Sequence, residues 1–122
     1  MKTFYLRELA HARAGDKGDT NNIGVIAYRP EYYQTILEQV TPERVQGHFG
    51  DIVKGPITRY ELPKVDAINL VMERALGGGV TRSLSLDPHG KSYSALILTM
   101  RIRVDDKIAA MLEKDGRKPL ST

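Results

Sequence analysis

The 122-residue chain has no cysteine. That absence excludes disulfides, thiolate zinc sites and a cysteine nucleophile. No apolar run approaches the roughly 18 residues of a membrane span. The opening MKTFYLREL places Arg7 and Glu8 where a signal peptide needs its apolar stretch, so a cytoplasmic location is expected. Charge of one sign is also scarce. Eighteen Lys and Arg against fifteen Asp and Glu leave a net charge of +3, interspersed along the chain. No basic arm reads as a nucleic-acid contact. There is no G-x-S-x-G elbow for serine hydrolase chemistry and no G-x-x-x-x-G-K-[ST] phosphate loop. Asp16, Asp19, His48 and Asp51 could be assembled into a metal site, but no fixed metal-ligand spacing is present, so neither a metal nor a cofactor is expected.

What is present suits one ordinary core. Hydrophobic residues make up 41% of the chain, and the length matches a single domain. We expect a domain over residues 1–116 and a tail over 117–122. Thr3 to Ala12 alternates with period two and predicts a strand, Glu8 being the exception. Arg13 to Asn22 reads as a polar loop in which Gly15 and Gly18 take positive φ and Asp16, Asp19 and Asn21 make Asx turns. Ile23–Tyr28 reads as a strand stopped by Pro30, and Tyr33, Ile36, Leu37 and Val40 as a helix face. Thr41-Pro42 is an N-cap followed by an N1 proline, opening a short helix lined by Val45, Phe49 and Ile52. Ile57–Leu62 is a strand between Pro56 and Pro63.

Further on, Ile68, Val71, Met72, Ala75 and Leu76 fall at helical spacing after Asp66, with Gly77 as the stop. Thr81–Leu86 and Ser92–Val104 read as strands joined by a type I turn at Asp87-Pro88-His89-Gly90. Asp105 is placed to cap a last helix carrying Ile108, Met111 and Leu112 and ending at Gly116. Strands and helices without a regular βαβ repeat predict an α+β fold. Its simplest form is a ferredoxin-like sandwich, a mainly antiparallel sheet with helices on one face.

Three glycine-containing segments could hold a ligand: Ala14–Gly24, Gly47–Pro56 and Gly77–Leu84. In the first, Arg13 and Lys17 suit an anion, Asp16 and Asp19 add hydrogen-bonding groups, and Asn21 or Asn22 can orient the ligand. In the third, Gly78 and Gly79 allow close approach, and Arg82 with Ser83 can grip a carboxylate or phosphate. The plain alternatives are ordinary turns and an Arg on an exposed strand face. His11 is expected on a polar strand face and His89 at a hairpin tip. His48, beside Asp51 and Lys54, is the histidine placed best for general-base work, with Lys17 as a second proton carrier.

The blocks AHARAGDKGDTNNIGV (Ala10–Val25), HFGDIVKGPITRYELP (His48–Pro63), ALGGGVTRSLSLD (Ala75–Asp87) and HGK (His89–Lys91) occur in this order. Together they resemble the small C-terminal domain of the acyclic terpene utilization (AtuA) family. The resemblance covers roughly Leu6 to Ile102 and implies a ferredoxin-like module. In that family the module often trails a much larger domain and also occurs as a separate short polypeptide. It further implies a setting of branched acyl-CoA thioesters. The expected role is therefore a small subunit that binds a large AtuA-type protein and helps form a site for an anionic acyl-CoA or carboxylate metabolite. A homo-oligomeric lyase or hydratase, and a purely structural module, are the rival readings. In the absence of the large partner a homo-oligomer is expected, paired through the exposed edge of the Ser92–Val104 strand.

Overall fold

The computed structural model describes residues 1–17, 20–50, 53, 55–73 and 91–120, with the backbone alone at Asp16, Lys17, Lys91 and Ser92. The elements in chain order are β1 (Lys2–Tyr5), α1 (Leu6–Leu9), β2 (Ala10–Lys17), β3 (Thr20–Ala27), α2 (Pro30–Gln39), α3 (Pro42–Phe49) and β4 (Ile57–Leu62). A 3-10 turn (Pro63–Val65) leads to β5 (Ala67–Met72), followed by α4 (Lys91–Ile97), β6 (Arg101–Val104) and α5 (Asp106–Lys114). Strands β2, β3, β5 and β4 form one antiparallel sheet in that spatial order, and β1 pairs with β6 in a separate antiparallel ribbon.

One face of the four-stranded sheet is the floor of the core. Ile23 and Val25 of β3 and Ile68, Leu70 and Met72 of β5 are fully buried on it. They belong to one cluster with Phe4, Ile36, Ile97, Ile102 and Leu112, which are also fully buried. Helices α2, α3 and α4 pack against β3, β4 and β2 respectively. The expected α+β architecture, an antiparallel sheet with helices on one face, is what the chain adopts.

Several local expectations hold for local reasons. Thr41 accepts a hydrogen bond from the Arg44 amide and starts α3, with Pro42 at its first position. Asp105 does the same for Ile108 and starts α5, while Gly116 leaves that helix at φ 84°. The strand bounded by Pro56 and Pro63 is found as β4.

Four segments differ from the reading of the sequence. The Thr3–Ala12 strand is broken by the single turn α1, which turns both Leu6 and Leu9 inward and leaves Arg7 exposed. Glu8 was the sign of this, because it occupies the position where an unbroken strand would need an apolar side chain. The Arg13–Asn22 loop is instead the paired end of the β2–β3 hairpin, in register from Ala10↔Ala27 to Lys17↔Thr20. Small alanines at 10, 12 and 14 face the core, so the polar residues between them mark the other face of a strand. Gly15 sits in that ladder opposite Asn22 without positive φ, and Asn21 is a buried strand residue rather than an Asx turn.

The helix expected from Asp66 is strand β5. Ile68 and Met72 satisfy period 3.6 and period 2 equally, and pairing with β3 and β4 on both sides selects the strand. Asp66 is the left-handed turn residue before it, at φ 53°. The Ser92–Val104 strand is helix α4 followed by β6; Tyr93 and Ile97, four apart, are both buried. The expected edge strand for self-association is thus a helix over half its length, and its remainder is paired with β1. The expected strand Thr81–Leu86, its turn at 87–90, Gly77 and Ile52 lie outside the described residues.

Candidate functional site

The second face of the four-stranded sheet carries side chains that the core does not use. Strand pairing sorts them into rows: His11, Ile26, Ala67 and Leu62; then Arg13, Gly24, Asn69 and Tyr60; then Gly15, Asn22, Val71 and Thr58. Arg13, Asn22, Thr58, Tyr60 and Leu62 are exposed, with Tyr60 at 54%.

Gly24 lies in the middle of this face. A Cβ there would make ordinary contact with Ile26 at 3.9 Å and the Arg13 carbonyl at 4.0 Å, so glycine leaves a one-side-chain gap in the row. Arg13 and Asn69 flank it on the neighbouring strands, and Asn22 and Ile26 flank it along β3. No side-chain hydrogen bond or ion pair engages Arg13, Asn22 or Asn69 among the described residues. A guanidinium and two carboxamides around a glycine present N–H donors to a carboxylate or phosphate and can also read a carbonyl.

Of the residues expected to hold a ligand, Arg13 and Asn22 lie on this face, while Asn21, the alternative to Asn22, is buried on the other. Lys17 and Asp16 lie further along β2, opposite Thr20 and Asn21. Asp19, Gly78, Gly79, Arg82 and Ser83 lie outside the described residues. Asn69, Gly24 and Tyr60 were missed. The signal for Asn69 was a lone polar residue within AINLVM, visible only once that segment is read as a strand.

His48 is engaged elsewhere. Its Nε2 lies 2.8 Å from the Leu96 carbonyl and 2.9 Å from the Thr99 hydroxyl, and that hydroxyl donates to the same carbonyl at 2.6 Å. A carbonyl oxygen only accepts, so Nε2 carries a hydrogen and ties the end of α3 to the end of α4. His11 is exposed and stacks on Tyr28 at 5.6 Å.

Arg59, which also lies within the blocks that carry the family resemblance, faces the core side. Its Nη1 donates to the Leu37 carbonyl at 2.6 Å and the Val40 carbonyl at 3.0 Å, satisfying the open end of α2. A separate groove of about 410 Å³ runs between α1 and residues 116–120. Its Arg7 lies over the Tyr5 ring at 4.4 Å and 3.6 Å from Glu8, so that cation is already partnered, unlike Arg13.

Among the described residues no cluster of three or more His, Asp or Glu could hold a metal ion. None of the described helices is long and apolar enough to cross a membrane.

An antiparallel sheet with helices on one face and a second, open face defines a small α+β module. The model of the AtuA ferredoxin-like domain matches residues 4–103, most of the chain, and the protein belongs to that family. No curated protein and no solved structure matches it.

Proposed function

We propose that this domain is an accessory subunit that docks on a large AtuA-type protein and contributes part of a site for an acyl-CoA or carboxylate metabolite. The carrying observation is the gap in the side-chain row at Gly24, around which Arg13, Asn22 and Asn69 have no partner of their own among the described residues. An open sheet face alone is too shallow to enclose a small molecule, so a second chain must supply the roof. In this reading the Arg13 guanidinium takes the anionic group through two parallel hydrogen bonds, and Asn22 and Asn69 orient the neighbouring carbonyl. His48 serves in this reading as a brace between α3 and α4.

Calorimetric titration of the co-expressed complex with acyl-CoA thioesters and free branched acids tests this. Arg13→Lys keeps the charge and loses the fork, and should weaken binding by about ten- to a hundredfold, the scale of one charge-assisted contact. Arg7→Lys, in the separate groove, should leave affinity unchanged. Equal affinity for wild type and Arg13→Lys, or no complex with the large protein, overturns the reading.

A further inference from the structure

From the edge of β4 we infer that two copies of this chain pair antiparallel through β4, joining two four-stranded sheets into one of eight strands. The inference does not depend on the ligand reading above.

The argument begins with the backbone. Among the described residues β4 is an edge strand, hydrogen-bonded only to β5. The Glu73 amide donates to the Pro56 carbonyl, and the Ala27 amide to the Asp66 carbonyl. These bonds set the parity of the ladder: residues 58, 60 and 62 turn their amides and carbonyls toward β5. Residues 57, 59 and 61 turn theirs outward, and none of these groups has a partner among the described residues. Proline flanks the strand at 56 and 63 but does not interrupt it. Such an edge is a template for another strand.

Side chains then choose the partner and the register. In a two-fold pair each residue opposes one on the same face, so only a few registers are open. Centring the axis on Tyr60 sets Arg59 against Glu61 of the second copy and Glu61 against its Arg59. The outward groups of 59 and 61 then exchange backbone hydrogen bonds, and Tyr60 meets Tyr60 as a cross-strand aromatic pair on the open face. Moving the axis to residue 59 opposes two arginines; moving it to residue 61 opposes two glutamates. Both moves are unfavourable. Within one chain Arg59 Nη2 already lies 3.3 Å from Glu61, so the two groups share one face of β4, and the second copy would add its own pair on that face. The β2 edge lacks this self-complementarity: setting Ala12 against Ala14 there opposes Arg13 to Arg13.

The chain has no native thiol, so cysteine cross-linking can read the register directly. Tyr60 is 54% exposed, and replacing it should not disturb folding. In the inferred register residue 60 is a non-hydrogen-bonded pair with Cα atoms about 4.5 Å apart, within the span of a disulfide. Tyr60→Cys should therefore oxidise to a covalent dimer at least about tenfold faster than Thr58→Cys, whose opposite residue is 62. A mixture of Thr58→Cys and Leu62→Cys should cross-link between the two variants. Wild type should double its 13.6 kDa mass in sedimentation as concentration rises. Glu61→Arg should stay a monomer with an unchanged melt. A wild-type monomer up to millimolar concentration, cross-linking of Thr58→Cys as fast as Tyr60→Cys, or dimerisation of Glu61→Arg would each overturn the proposal.

Discussion

The two faces of the β2-β3-β5-β4 sheet are built from the same strands and answer to different rules. On the covered face every alternate residue of β5, Ile68, Leu70 and Met72, is at 0% exposure. On the open face the intervening Asn69 and Val71 are partly exposed, and Arg13, Asn22 and Tyr60 beside them are exposed. Charge divides in the same way. Arg59 faces the helices, its Nη1 employed at the end of α2 and its Nη2 turned to Glu61, whereas Arg13 faces out with no partner among the described residues. A side chain's role here follows from its face rather than from its type or its place in a glycine-rich segment.

The contrast is sharpest at two adjacent residues of β5. Leu70→Ala removes fully buried methyl groups and leaves a cavity, and should cost about 2–5 kcal/mol. Asn69→Ala, one residue earlier, should stay within about 0.5 kcal/mol of wild type while weakening ligand binding. Urea denaturation of both variants measures this. Similar losses at the two positions would mean that the second face is covered by something that also stabilises the monomer.

The paired arginines come next in size. Arg59→Met keeps much of the stem and removes the donors to Leu37 and Val40, leaving two helix-end carbonyls short of partners. A loss of about 1.5–3 kcal/mol is expected, the range for hydrogen bonds from a charged group. Arg13→Met should melt with wild type. Loss of helix signal near α2 in Arg59→Met, followed by hydrogen exchange at Val40, would locate the effect.

Asn21 breaks the rule of the covered face. It is 0% exposed, and neither Nδ2 nor Oδ1 has a hydrogen-bond partner among the described residues. An unpaired buried amide is costly, so Asn21→Leu, similar in shape and apolar, should raise stability by about 1 kcal/mol. A drop instead would show that the amide is satisfied in solution.

How much of this was legible varies with the signal. Where one residue decides the outcome locally, the sequence is readable: Thr41 and Asp105 start helices, and Pro56 and Pro63 bound β4. Where apolar residues satisfy two periods at once, as at Ile68 and Met72 or Tyr93 and Ile97, only pairing and packing choose between strand and helix. The β2–β3 hairpin end was hidden because alanine is a weak mark of burial and the polar face outweighs it. The site was read in the same measure. Arg13 and Asn22 stood out as polar groups beside glycine, but Asn69 could not join them until its segment was known to be a strand between β3 and β4. His48 attracted attention by its chemistry, and its engagement by Leu96 and Thr99 depends on a helix that the alternation of residues 92–104 concealed.

The smallest expected effect belongs to a charged pair on the helix side. Arg29, just before α2, donates to Asp115 at the end of α5 through Nε at 2.6 Å and Nη2 at 2.8 Å. The buried Tyr32 adds its hydroxyl to the same carboxylate at 3.3 Å. Hydrogen bonding to Arg29 holds the Asp115 carboxyl below its ordinary 3.8, against the smaller opposing effect of desolvation. A carboxyl whose folded value is depressed stabilises fully above its unfolded value and loses that contribution as pH falls through the folded one. The pair is partly exposed, so its effect should be small and weakened by salt. Thermal melts of wild type and Asp115→Asn should therefore run a small, constant distance apart from neutral pH down to about 5, where the unfolded carboxyl is still ionised. The gap should narrow as pH drops past 3.8 and close in stronger acid. It should also shrink at neutral pH on adding salt, whereas the deficit of Leu70→Ala should not. A gap that persists in strong acid and in salt would assign the contact to packing of Tyr32 and the α5 end, and would make the helix side as indifferent to charge as the core it covers.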